Sequence, residues 1–172
     1  WFRLARQHID NHAYSHAREA LQNVLQTKPA ESRARQMLAE VDRLEEEYLA
    51  VREEKEQLYA GAMDAWKSGE VSSALHRLER ALDLDQSAPD STAPERSATY
   101  QTFYKQVRSE YDAMNNSYAE ARKYVADREF AKAMAVCDDY LAKYPGNALF
   151  QALRFDVEEE RRQELSAYIA EI

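Results

Sequence analysis

Apolar residues recur at three- and four-residue intervals along almost the whole chain, the spacing of one face of an α-helix. Trp1, Leu4, Ala5, His8 and Ile9 begin a first stripe, Asp10-Asn11-His12 interrupts it, and Tyr14, Ala17, Leu21, Val24 and Leu25 resume it. Lys28-Pro29 ends it, because proline cannot continue the helical hydrogen-bond ladder and disfavours helical geometry in the residue before it. From Glu31 to about Ser68 there is no proline, and no glycine before Gly61. One long helix over 31–68 is therefore predicted, with Met37, Val41, Leu44, Tyr48, Val51, Leu58, Ala62 and Ala65 on its apolar face and Lys55 breaking that face. Gly69 marks the corner, since glycine tolerates the left-handed conformation that follows many helix ends. A return helix from Glu70 to Leu84 turns Val71, Ala74, Leu75, Leu78, Ala81 and Leu82 inward.

The stretch DQSAPDSTAP, Asp85 to Pro94, predicts the one long loop. A second long helix over 95–127 carries Tyr100, Phe103, Val107, Tyr111, Met114, Tyr118, Ala121 and Val125 on one face. Asp127-Arg128 makes a corner, Phe130 to Tyr144 returns, and Pro145-Gly146-Asn147 is a strong stop. A final helix over 148–172 presents Leu149, Leu153, Val157, Leu165, Tyr168 and Ile172. The expected fold class is all-α, with alternating long and short helices.

The return helices repeat one another. Ala17, Leu21, Val24 and Leu25 align with Ala74, Leu78, Ala81 and Leu82, and with Ala133, Cys137, Tyr140 and Leu141. Tyr14, Val71 and Phe130 each stand three residues before the aligned alanine, so the spacings are 57 and 59 residues. Pro29 and Pro145 close the first and third copies, and Gln86 takes that place in the second. A period in this range marks stacked units that cannot each bury an apolar face alone. The units are placed at about 1–29, 58–85 and 117–145 of a single array.

These residues resemble the tetratricopeptide repeat (TPR), a helical hairpin of about 34 residues. Trp1, Leu4, Ala5 and His8 fall at that family's Trp, Leu, Gly-or-Ala and Tyr positions. Gly69, Val71, Ala74, Leu78 and Ala81 follow its turn and second helix, as do Ala121, Tyr124, Phe130, Ala133 and Pro145 in the third unit. The period here is longer by about 24 residues, so the first helix of each unit is expected to be fused to an extension. Leu58, Ser117 and Glu120 replace signature positions. The resemblance implies TPR-like hairpin repeats, in an α-α superhelix or an elongated bundle, whose first helices line a groove for a protein or peptide partner. The matching positions are Phe2, Arg6 and Ile9; Tyr59, Met63 and Trp66; and Tyr118, Arg122 and Val125. The last six form the candidate groove, of residue types that serve as binding anchors. The paired Lys and Asn of the family's carboxylate-clamping members are absent.

A narrower resemblance lies in LARQHIDNHAYSHAREALQNVLQTKPAE and EQLYAGAMDAWKSGEVSSALHRLERALDLD. Both are similar to the repeat region that follows the catalytic domain in some bacterial eukaryote-like serine/threonine protein kinases. The resemblance implies a regulatory or docking role in signalling. The chain has no glycine-rich nucleotide loop, no HRD and no DFG, so phosphoryl transfer by this stretch itself is not expected.

Composition narrows the partners. Of 172 residues only three are Gly and four Pro, which favours long helices, and 31% are charged, which favours an elongated shape with much solvated surface. A net charge of −8 argues against a nucleic-acid backbone as partner. Cys137 is the only cysteine, so no internal disulfide forms, and a reducing, cytoplasmic setting is expected. No apolar run approaches the roughly 18 residues of a membrane span, and no signal peptide is read. The chain opens on Trp1 and closes on Ile172 inside amphipathic stripes, which points to a fragment of a longer protein.

Three candidate chemistries remain. His8, His12 and His16 are four apart, a metal-ligand spacing on one helix, but the turn near His12 divides them. The runs Glu45-Glu46-Glu47 and Glu158-Glu159-Glu160 read as solvated faces, and no metal or cofactor is expected. Ser87, Ser91 and Thr92, with Ser97 and Thr99 beside them, offer a loop where phosphorylation would add nearly two negative charges. The expected function is a non-catalytic interaction or regulatory module. The alternative is a spacer that forms a homodimer through a coiled-coil seam between residues 37 and 65.

Overall fold

The computed structural model describes residues 1–172 and is all-helical. Its seven helices are α1 (Phe2–Asp10), α2 (Tyr14–Thr27), α3 (Ser32–Lys67), α4 (Val71–Ser87), α5 (Pro94–Ala126), α6 (Phe130–Lys143) and α7 (Ala148–Glu171). The chain forms two compact units, one of Trp1–Tyr59 with Arg80–Gln101, the other of Ala60–Glu79 with Thr102–Ile172. Helices α3, α4 and α5 each contribute a stretch to both.

Three corners join a helix to its return helix, and all three have the same backbone. At each, a residue in the left-handed region follows the helix end: His12 at φ 57°, Gly69 at φ 82° and Arg128 at φ 59°. The N–H one residue further on reaches back five residues, from Ala13 to His8, Glu70 to Ala65 and Glu129 to Tyr124, at 2.8 Å each. The left-handed residue's own N–H donates to the carbonyl three before it, at 3.0–3.1 Å. This is the Schellman arrangement, which satisfies the carbonyls orphaned at a helix end and reverses the chain at once. Small residues let the paired helices approach: Ala5 and Ala17, Ala62 and Ala74, Ala121 and Ala133 are all fully buried.

The exits from α2 and α6 also match. Lys28 sits at φ −133°, ψ 79° and Tyr144 at φ −131°, ψ 79°. A proline follows each and excludes helical geometry there. Gln86 stands where those prolines would be, so α4 continues to Ser87 and the expected loop shrinks to residues 88–93. Pro94 is the first residue of α5 rather than the last of the loop, a position that needs no N–H.

In the first unit the core joins Ala5, Ile9, Tyr14, Ala17, Leu21, Met37 and Val41, with Tyr48 half-buried against them. Lys55, which breaks the apolar stripe of α3, is itself buried. Its ammonium donates to Asp85 Oδ1 at 3.0 Å and to the Ala88 carbonyl at 2.6 Å, and Ser97 Oγ donates to the other Asp85 oxygen.

In the second unit Phe150 is the largest fully buried side chain, stacked on Tyr140 at 4.1 Å between ring centres. Asn147 caps α7 by accepting the Phe150 N–H at 3.0 Å, and its own amide donates to the Gly69 carbonyl at 3.2 Å. Gly146 is required here, because a Cβ at that position would run into the Ser68 carbonyl. The cap sets the helix phase, so Phe150, Leu153 and Val157 turn inward while Leu149 is 38% exposed. The distal face expected for α7 is also exposed: Leu165, Tyr168 and Ile172 contact solvent, as does Ile169.

Candidate functional site

A cavity of the first unit has a volume of about 400 Å³, within the roughly 300–1,000 Å³ of small-ligand pockets. Its floor comes from α3, where Leu44, Tyr48, Val51 and Lys55 recur at helical spacing on one face. The first hairpin corner supplies His12 and Tyr14, and the 88–93 loop supplies Pro89 and Asp90. Placing His12 in the left-handed corner turns its ring onto Tyr48, stacked at 4.5 Å with 20° between planes. His12 Nδ1 lies 3.0 Å from the Tyr14 hydroxyl.

Tyr48 also fastens the loop. Its hydroxyl donates to Asp90 Oδ2 at 2.8 Å and lies 3.0 Å from Thr92 Oγ1. The other Asp90 oxygen accepts from the Thr92 N–H at 3.0 Å and from its hydroxyl at 2.5 Å, a side-chain turn of the kind Asp favours. Burial alone would raise the Asp90 carboxyl. The hydrogen bonds from Thr92 and Tyr48, with the nearby Arg52 charge, outweigh it and hold the group below its ordinary range. Burial, then the neighbouring Tyr48 and Glu45, pushes the Tyr14 phenol up, so it remains protonated at neutral pH and serves as a hydrogen-bonding group.

Most polar groups around the cavity are therefore engaged with one another: Lys55 with Asp85, Asp90 with Tyr48 and Thr92, His12 with Tyr14. What the cavity offers an incoming group is aromatic and aliphatic wall. The arrangement is suited to holding an apolar side chain or ring.

The residues predicted for a groove lie elsewhere and mostly pack. Tyr59 belongs to the first unit and meets Tyr100 at 5.4 Å between rings. The other five belong to the second. There Trp66 meets Phe103 edge-on at 5.9 Å and Tyr144 at 6.2 Å, and Tyr118 meets Phe150 edge-on at 6.1 Å. Val125 is buried, Met63 is half-buried, and Arg122 is exposed. The corresponding residues of the first hairpin are likewise engaged: Arg33 lies over the Phe2 ring at 4.5 Å, Arg6 pairs with Glu40 at 3.1 Å, and Ile9 is buried.

Of the phosphorylation candidates, Ser87 is corrected from loop to helix: it is the last residue of α4, and its hydroxyl donates to the Leu84 carbonyl. No proline ends the helix earlier. Ser91 and Thr92 are exposed on the loop, with the Thr92 hydroxyl held by Asp90. Among the histidines, His8 and His16 face each other at 5.4 Å between rings, while His12 faces Tyr48. No helix is long and apolar enough to cross a membrane.

Sequence reasoning missed the His12–Tyr14–Tyr48–Asp90 cluster. Two signals pointed to it: a hydroxyl and an ammonium, Tyr48 and Lys55, on an otherwise apolar stripe, and an Asp two residues before a Thr in the loop. Both needed the other half of the pair, more than 29 residues away in sequence.

Comparison with protein-family models, with curated proteins and with solved structures finds no match for this chain. The fold and the cavity define its class: an all-helical protein with a thrice-repeated hairpin corner and an aromatic pocket at the first of them.

Proposed function

We propose that the chain is a non-catalytic, TPR-like protein–protein interaction module that takes an apolar side chain of its partner into the first-unit cavity. The observation that carries this reading is the thrice-repeated corner, with the same hydrogen bonds and a pair of fully buried alanines beside each. Repeated hairpins of this kind build extended surfaces for partners rather than enclosed reaction chambers. The resemblance to kinase-associated repeats supports a regulatory role in bacterial signalling, beside a serine/threonine kinase domain. The spacer reading loses support, because its seam is engaged internally: Met37 and Val41 are buried in the first unit, Ala62 and Ala65 in the second.

The test is selection from a displayed library of random peptides, followed by affinity measurement on the full chain. Peptides with a single large apolar anchor are expected to bind in the micromolar range. Filling the cavity by Val51→Trp should weaken them at least tenfold without lowering the melting temperature by much. Peptide binding unaffected by Val51→Trp, or no peptide selected above background, overturns the proposal.

A further inference from the structure

A second recess runs between α5 and α6 in the second unit, enclosing about 360 Å³. Glu110, Ser117 and Glu120 line it from α5, and Asp139, Tyr140 and Lys143 from α6. Glu110 and Glu120 are ten residues apart on one helix, so their backbones are separated by about 15 Å along the groove. Three carboxylates face one ammonium, leaving an excess of negative charge. That excess alone identifies nothing, since acidic helix faces are common.

The second observation is Tyr140. Its residue is 7% exposed, and its hydroxyl has no hydrogen-bond partner. A buried hydroxyl left unsatisfied is costly, and native structures rarely retain one without a reason. Tyr140 lines the same recess as Glu110, and burial, then the charge of Glu110, pushes its phenol well above its ordinary range. Glu110 is met by Lys143 Nζ at long distances of 3.4 Å and 3.5 Å and by the Tyr144 hydroxyl, and the Lys143 side chain is 63% exposed with its ammonium 5.1 Å from the centre of the Tyr144 ring.

We propose that this groove binds a basic peptide segment, seating an arginine guanidinium between the Glu110 carboxylate and the Tyr140 hydroxyl in place of Lys143. A guanidinium suits the position better than an ammonium. Its planar fork of donors serves a carboxylate and a second acceptor together, and it sheds water more easily. Asp139 and Glu120 extend the favourable charge along the groove for further cations of the same segment. The inference goes beyond the docking function proposed above and holds whether or not the first-unit cavity takes a partner.

The experiment titrates the full chain with acetyl-Gly-Arg-Gly-Arg-Gly-amide at low salt, following amide shifts by NMR, beside the same peptide with citrulline for arginine. The arginine peptide should saturate with shifts on α5 and α6, and the citrulline peptide should bind at least tenfold more weakly. Tyr140→Phe removes no charge, so it separates seating at this site from diffuse attraction to an acidic protein. It should weaken the arginine peptide about ten- to a hundredfold, the loss expected for one bond to a charged group, while leaving the melting temperature unchanged or raised. Glu110→Gln should weaken binding further, and Lys143→Ala should strengthen it. Equal binding of the citrulline peptide, a Tyr140→Phe variant that binds normally, one that melts lower, or weaker binding by Lys143→Ala would each overturn the proposal.

Discussion

The exits from α2 and α6 share one backbone conformation, within two degrees in φ, and each is followed by proline. Further bonds match as well: Arg35 donates to the Pro29 carbonyl and Gln151 to the Pro145 carbonyl, both at 2.7 Å. The exit from α4 has none of this. It runs three residues longer than its counterparts, at 17 residues against 14, and passes into the 88–93 loop. That loop is held from a distance, by Lys55 on Asp85 and Ala88 and by Tyr48 on Asp90 and Thr92. The same architectural task is thus done locally in the first and third copies and by long-range polar contacts in the middle one. A local stop uses contacts within its own segment, whereas the middle exit uses contacts to α3.

Cutting the charge pair should have the largest effect. The Lys55 and Asp85 side chains are 6% and 12% exposed, so removing one partner leaves a buried charge without compensation. Asp85→Ala is expected to cost about 3–5 kcal/mol, measured by urea denaturation, with amide exchange accelerating first in residues 85–100. Pro145→Ala at the locally encoded exit should cost about 1 kcal/mol or less, through a more flexible unfolded chain. If Pro145→Ala proved as damaging as Asp85→Ala, the distinction between local and distant closure would collapse.

That difference also governs what was legible in the sequence. Every helix was readable from its stripe, because burial of one face at 3.6-residue spacing leaves a local record. The corners at His12, Gly69 and Arg128 were placed correctly too, though only Gly69 advertises its left-handed geometry through residue type. Lys55 was read as a flaw in the seam, because its partner lies 30 residues on. The cavity at Tyr48 escaped for the same reason; in α7 Leu153 and Val157 were read as inward and are buried, but Leu149 was read in place of Phe150, because Asn147, not the apolar pattern, sets the first turn. Tyr59, Trp66 and Tyr118 were legible as large rings with two open readings, packing or partner groove, since an aromatic ring looks the same in sequence whether it meets a neighbour or a partner.

The two proline corners differ in one respect that Asn147 exposes. The third has Gly146 and Asn147 where the first has Ala30 and Glu31, because the Ser68–Gly69 corner packs against it. Asn147→Ala should cost about 1–3 kcal/mol, combining a lost cap with an unsatisfied Gly69 carbonyl. Asn147→Asp keeps an oxygen for the Phe150 N–H but has no donor for Gly69, so it should recover only part of that loss. Full recovery in thermal melts by Asn147→Asp would mean the contact to Gly69 contributes nothing.

The smallest expected effect concerns the residues that hold the left-handed corners. Arg128 adopts φ 59° where Gly69 adopts φ 82°, and a side chain in that region is strained by about 1 kcal/mol. Arg128 also pairs with Glu164 at 2.8 Å, but its side chain is 65% exposed, so screening leaves little of that attraction. Relief of strain should outweigh both the lost pair and the added freedom of the unfolded chain, making Arg128→Gly stabilising by about 0.5 kcal/mol. For a chain of this size that is a rise in melting temperature of about 1–2 °C. The reverse exchange, Gly69→Arg, should lower it by more, since the new Cβ would also lie 3.0 Å from Cβ of Tyr144. Opposite signs at Arg128 and Gly69 would show that the repeated corner is one backbone requirement met by unequal residues; a fall at both would mean that the Arg128 side chain contributes more than its geometry costs.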